Sequence, residues 1–210
     1  MQIKDLYAKY HIMPQLATHM LRVAGVGKIV AENWKDGCDS KFVTDLCLLH
    51  DLGNIVKFDL QNMQEDKFGK IDDLKYWQDI QKQYFNKYGH DAHDATVGTL
   101  KDANLNGFVE YIGEEEKLYF AEANEAGLAQ ASVPAIIMMY ADCRVKPEGV
   151  VSYRERIDDL NTRYGKKTET WYKWTYWFDD WIQSKVSVDL QKITENSVTP
   201  LYDELLGYNI

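Results

Sequence analysis

The stretch Leu46-Cys47-Leu48-Leu49-His50-Asp51-Leu52-Gly53-Asn54 sets an imidazole and a carboxylate side by side at the end of an apolar run. Cys47, Leu48 and Leu49 direct the segment into a core, where a bare carboxylate needs a counter-charge or a metal. His50 offers nitrogen and Asp51 oxygen, a natural pair for a hard-to-borderline divalent cation. Gly53 has no side chain, so another element can approach the backbone closely just past the pair. A dipeptide alone is a weak signal. The reading therefore turns on whether the rest of the chain supplies the missing ligands.

Helical spacing dominates on both sides of this stretch, and strand-like alternation is weak. Upstream, Pro14 stands at a favoured first-turn position. Leu16, His19, Val23, Val26 and Val30 then recur at intervals of three and four, which predicts a helix over residues 14–34 with His19 on its buried stripe. Arg22 follows His19 by one turn. Gly25 and Gly27 are unfavourable inside a helix and point to close packing against a neighbour. A second helix, N-capped by Asp39 or Ser40, carries His50-Asp51 near its end, with Lys57 one turn beyond Gly53-Asn54.

Downstream, residues 59–70 turn polar and include Gly69. They read as a surface loop and as the best candidate for a lid over a substrate. Leu74, Trp77, Ile80, Gln81 and Tyr84 mark a helix ending at Tyr88-Gly89, and residues 91–103 mark another with His93, Val97 and Leu100 on one face. Residues 107–126 are acidic and predicted helical in their second half. Pro134 opens a strongly apolar helix reaching Val145, with Asp142 on the face of Met138, Met139 and Val145. Lys146-Pro147-Glu148-Gly149 makes a turn, and Ser152 caps a helix through Arg154 and Arg156. Trp171, Trp174, Trp177 and Trp181 read most simply as a packing stripe, with stacking on a base as the alternative.

Composition bounds the remaining choices. A chain of 210 residues with 45% hydrophobic content suits one domain with a substantial core. A net charge of −9 argues against a surface for long nucleic acid, which demands clustered Lys and Arg. It leaves room for a small anionic substrate in a locally basic pocket. Three cysteines without CxxC spacing, an odd number, fit a reducing compartment. No apolar run is long enough to span a bilayer and the N-terminus does not have the layout of a signal peptide, so a cytoplasmic protein without membrane attachment is expected.

Three apolar helices thus each carry a metal-capable residue where an apolar one is expected: His19, His50-Asp51 and Asp142. Two imidazoles and two carboxylates make a mixed nitrogen and oxygen set, suited to a six-coordinate divalent ion with positions left for water and substrate. In this order the chain resembles the metal-dependent phosphohydrolases of the HD superfamily. His19-Met20-Leu21-Arg22-Val23-Ala24 resembles that family's first-histidine helix, and His50-Asp51-Leu52-Gly53-Asn54 its His-Asp signature. His93-Asp94-Ala95-Thr96 resembles the segment with an additional histidine, and Tyr140-Ala141-Asp142 the final aspartate helix. The resemblance covers a core of about residues 14–156; the aromatic-rich helices of residues 157–210 are expected to pack on it.

The resemblance implies an all-α, single-domain helical bundle of the HD type over residues 1–210. It implies hydrolysis of a phosphate ester or anhydride, most often a nucleotide. His19, His50, Asp51 and Asp142 would ligate one divalent ion (Mn, Fe, Co, Ni or Mg), with Asp51 also orienting water and His93 acting as acid or base. Arg22, Lys57, His90 and Arg144 are the candidate phosphate contacts. A second metal would have to draw on His90 and His93, since no histidine follows His93. Asn54 departs from the cyclic-dinucleotide phosphodiesterase branch, which usually has Lys there. Two alternatives stand beside hydrolysis: a di-iron oxygenase of the same superfamily, and a non-catalytic module that binds and senses a nucleotide. The sequence leaves the oligomeric state open, a homo-oligomer included.

Overall fold

Side-chain caps start the helices where the sequence places them. The Asp39 carboxylate accepts from the Phe42 N–H, that of Asp91 from the Asp94 N–H, and the Ser132 hydroxyl from the Ala135 N–H. Each satisfies one of the donors that a first helical turn leaves open. The computed structural model describes residues 1–62, 71–120, 128, 130–164 and 169–210. In chain order its helices are α1 (Ile3–Lys9), α2 (Pro14–Glu32), α3 (Ser40–Leu49), α4 (Leu74–Tyr88), α5 (Ala92–Asp102), α6 (Val109–Phe120), α7 (Val133–Asp142), α8 (Tyr153–Tyr164), α9 (Glu169–Lys185), α10 (Glu195–Val198) and α11 (Tyr202–Leu206). The fold is mostly helical. Apart from two isolated bridges, the only strands among the described residues are Val145–Lys146 and Gly149–Val150, an antiparallel hairpin.

The centre of the molecule is the packing of α2 against α3 and α7. Gly27 makes the first of these contacts close: a Cβ there would lie 2.6 Å from Cys47 Sγ. Gly25 does the same on another side of α2, where a Cβ would meet Val198 Cβ at 2.7 Å. Close packing is thus what both helical glycines serve. Leu46, Cys47, Leu48 and Leu49 are fully buried, as are Met138, Tyr140 and Ala141, and the apolar core is continuous from α1 to α11. No helix among the described residues is long and apolar enough to cross a membrane.

Several boundaries differ from the sequence reading. α1 was not anticipated. α2 ends at Glu32, and α6 already starts at Val109, so the first half of the acidic stretch is helical. α7 stops at Asp142 instead of Val145, because the chain turns into the hairpin, in which Gly149 adopts φ +152°. Most of the lid candidate, residues 63–70, lies outside the described residues, as do residues 121–127. The aromatic stripe of α9 packs as expected: Trp174 and Trp181 stack on the buried Phe178 at 5.2 and 6.1 Å, and Trp181 also meets Trp34. Phe178 reaches Tyr140 of α7, which joins the tail to the core.

Candidate metal centre

Three segments bring their polar residues to one point. His19 comes from the middle of α2, and Asp142 is the last residue of α7. His50 closes α3 as its C-terminal cap, with Asp51 in the turn that follows. His19 Nε2 lies 3.0 Å from Asp142 Oδ1 and 3.5 Å from Asp51 Oδ2. His50 Nε2 lies 3.6 Å from Asp51 Oδ2 and 3.8 Å from Asp142 Oδ1. Ligand atoms of His19, His50 and Asp51 all fall within 4.8 Å of one another, so this group could hold a metal ion. The side chain of His50 is 2% exposed and forms the floor, while those of His19, Asp51 and Asp142 are 21–25% exposed and open toward solvent.

The donor set fits a divalent cation. Adjacent ligands of an octahedral ion with bonds of about 2.1 Å lie about 3.0 Å apart. A tetrahedral ion spreads them to about 3.4 Å. The imidazole-to-carboxylate separations of 3.0, 3.5, 3.6 and 3.8 Å run from the octahedral value to somewhat beyond the tetrahedral one. The tautomer fits as well. His50 Nδ1 donates to the Cys47 carbonyl at 2.8 Å, and a carbonyl can only accept, so a neutral imidazole keeps its lone pair on Nε2, facing the carboxylates. This bond to the main chain is the usual outer partner that orients a ligating histidine. Burial alone would push the Asp142 carboxyl up, but bonds from the His19 and His50 rings outweigh it and hold it well below the ordinary range. That depression belongs to rings that carry a proton toward the carboxylate; a cation held by the deprotonated ring nitrogens would take over the same role.

Surrounding contacts fix the His-Asp turn. Gly53 donates its N–H to Thr96 Oγ1 at 3.0 Å, and a Cβ on Gly53 would lie 2.2 Å from the Thr96 nitrogen. The close approach expected past the pair is thus α5. Tyr7 of α1 donates to the Leu48 carbonyl at 2.7 Å. Its phenol is pushed far up by burial first, then by the charge of Asp51. Neither link has a local signal in the sequence: Tyr7 lies in a short helix whose N-cap makes no side-chain bond, and Thr96 is an ordinary mid-helix residue.

The other candidate residues are distributed unevenly. His93 is half-buried in the first turn of α5, one turn before Thr96. Lys57 is exposed at the end of the 3-10 turn Asn54–Lys57 that follows the His-Asp pair. His90 is exposed and stacks on Phe85 with ring centroids 4.1 Å apart. Two expected phosphate contacts require correction. Arg144 is 1% exposed and bonds the Tyr140 hydroxyl and the Val151, Leu190 and Ile193 carbonyls, so its guanidinium is enclosed by protein. Arg22 gives Nε to both oxygens of Glu195 and Nη1 to the Pro147 carbonyl. Both arginines act inside the structure, and Glu195 was not anticipated as the partner of Arg22.

A cavity of about 600 Å³ lies elsewhere, lined by Arg154, Asp179, Asp180, Gln183 and Asp189 among others. None of the ligand residues borders it. Compared with known proteins, the chain matches no family model, no curated protein and no solved structure.

Proposed function

We propose that this protein is a metal-dependent phosphohydrolase of the HD type, acting on a phosphate ester or anhydride, with nucleotides as the first substrate class. One observation carries the reading: His19, His50, Asp51 and Asp142, from three segments far apart in sequence, converge with the separations of a single cation's ligand shell. When bound, a divalent ion supplies Lewis acidity toward a phosphoryl oxygen and acidifies a water. His19, His50 and Asp142 would hold it, His50 from a buried position. Asp51 also reaches solvent, so its carboxylate can orient the nucleophilic water and accept its proton. His93, an imidazole in the first turn of α5, serves as acid or base.

Charge balance supports the same assignment. Two neutral imidazoles and two carboxylates leave the centre at −2, which repels a phosphate until a divalent ion neutralises it. With Arg22 and Arg144 committed inside the fold, Lys57 is the remaining candidate cation for the phosphate, with His93 as a hydrogen-bonding partner. The ion therefore bears most of the work of stabilising equatorial phosphoryl charge. No observation favours the di-iron alternative, which needs His90 as a ligand, whereas His90 stacks on Phe85 at the surface.

Elemental analysis of the purified protein, followed by a phosphate-release screen over nucleotides with Mn, Mg, Co, Ni and Fe, tests the proposal. One divalent ion per chain and metal-dependent phosphate release are expected. Two irons per chain with a mixed-valent signal would instead favour the oxygenase, and tight nucleotide binding without product a sensing module.

A further inference from the structure

The two arginines withdrawn from the substrate site point to another role. Arg22 follows the ligand His19 by one helical turn, and Arg144 follows the ligand Asp142 by two residues. Both are seized by the same distant part of the chain. The Glu195 carboxylate accepts from Arg22 Nε at 2.9 and 3.1 Å, from the Val150 N–H at 3.0 Å and from the Tyr202 hydroxyl at 3.4 Å. Arg144 donates to the carbonyls of Leu190 and Ile193 at 3.0 and 2.8 Å. Arg22 also reaches the Pro147 carbonyl, in the hairpin that leaves the Asp142 helix. Hairpin and residues 190–202 therefore form one cross-linked block that joins the helix of His19 to the helix of Asp142.

Two glycines show that the block is fitted closely. Val198, three residues after Glu195, packs where Gly25 of α2 lacks a side chain. Gly149, at φ +152°, leaves room for Glu195, whose Oε2 would lie 3.2 Å from a Cβ there. Apolar contacts alone tolerate sliding of one helix along another. Directional, charge-assisted bonds from a rigid guanidinium do not.

We infer that Glu195 is a positioning residue for the metal centre: by holding Arg22 and the hairpin, it sets the separation of the His19 and Asp142 ligand atoms on α2 and α7. The inference rests on the metal-centre reading and not on the phosphohydrolase assignment, so it is tested by metal binding alone. Outer partners that orient ligands typically change metal affinity about 10- to 100-fold when removed.

The test is a cobalt(II) titration of the metal-free full chain, followed by visible absorption, with the melting temperature of each protein as control. Wild type, Glu195→Ala, Glu195→Gln and Ile157→Ala are compared, the last being a buried residue of α8 outside the block. Glu195→Ala is expected to weaken cobalt binding about tenfold or more and to change the visible band. Ile157→Ala is expected to lower the melting temperature with affinity and band unchanged. If Glu195→Ala does not fold, Glu195→Gln, which keeps the shape and loses the charge, is expected to weaken binding severalfold. Wild-type affinity and spectrum in the folded Glu195 variants overturn the inference, as does an equal loss of affinity in Ile157→Ala. A wild type that takes up no cobalt overturns the metal centre itself and this inference with it.

Discussion

Two clusters of carboxylates face basic partners in this molecule, and their acids respond in opposite directions. At the candidate metal centre, the His19 and His50 rings hold the Asp142 carboxyl well below its ordinary range against the pull of burial. At the cavity near α9, Asp179 is 4% exposed and donates nothing, its Oδ2 accepting from Arg154 Nε at 2.8 Å. There burial wins over the arginine, and the Asp179 carboxyl is pushed up. The partners also differ in what they can offer a metal. Imidazoles can present lone pairs, so the first cluster is a donor set that a cation completes. A guanidinium is always charged and has no lone pair to give, so the second cluster is already neutralised as an ion pair. The cavity is therefore not where the metal chemistry is expected; the identity of the basic partner marks that place.

The largest expected effect separates the two regions outright. His50→Ala removes the buried nitrogen ligand and is expected to lower metal affinity by more than about a hundredfold, beyond what outer partners cost. Elemental analysis after dialysis measures it, and Arg154→Ala at the other cluster is expected to leave metal content unchanged. Equal losses in both variants would erase the distinction.

Gly53→Ala is expected to come next. Its Cβ would meet backbone atoms of Ala95 and Thr96 at 2.2–2.3 Å, so α5 must move, which costs about 1–3 kcal/mol. Denaturant unfolding reads the loss, and a wild-type midpoint would show that the approach of α5 is not as close as described. Arg154→Ala leaves Asp179 buried without its partner. Breaking a buried pair costs about 3–5 kcal/mol, but the Arg154 side chain is 43% exposed, so about 1–2 kcal/mol is expected here.

The smallest effect is a pH dependence. An acid whose carboxyl is raised in the folded state binds its proton more tightly there, so its contribution to stability is full at low pH and is lost as pH rises through the folded value. Asp179→Asn has no such titration. The melting temperature of the wild type relative to Asp179→Asn is therefore expected to fall as pH rises from below the ordinary carboxylate range through the raised folded value. A constant difference would contradict the direction assigned to Asp179.

The contrast also shows what could be read from the sequence. His19, His50, Asp51 and Asp142 were legible because each places a polar group on an apolar stripe, where burial is unfavourable without a partner. The helices around them were legible from spacing and from signals such as the Asp39 cap and Pro134. Arg144 was not legible: a cation two residues from a ligand looks like a phosphate contact, and its actual partners are main-chain carbonyls at positions 151, 190 and 193. Main-chain partners leave no trace in side-chain patterns. Glu195 was hidden for a related reason, since an acid in a short polar segment is ordinarily a solvated surface charge. Helix α1 was missed because it is short and no side chain caps it.

The account stands or falls on the four ligands acting together. Isothermal titration of a divalent metal into metal-free wild type and into Asp142→Ala addresses this most directly. One ion per wild-type chain, with binding lost or strongly weakened in the variant, is the predicted result. Wild-type binding retained in Asp142→Ala, or no saturable binding in either protein, would contradict it.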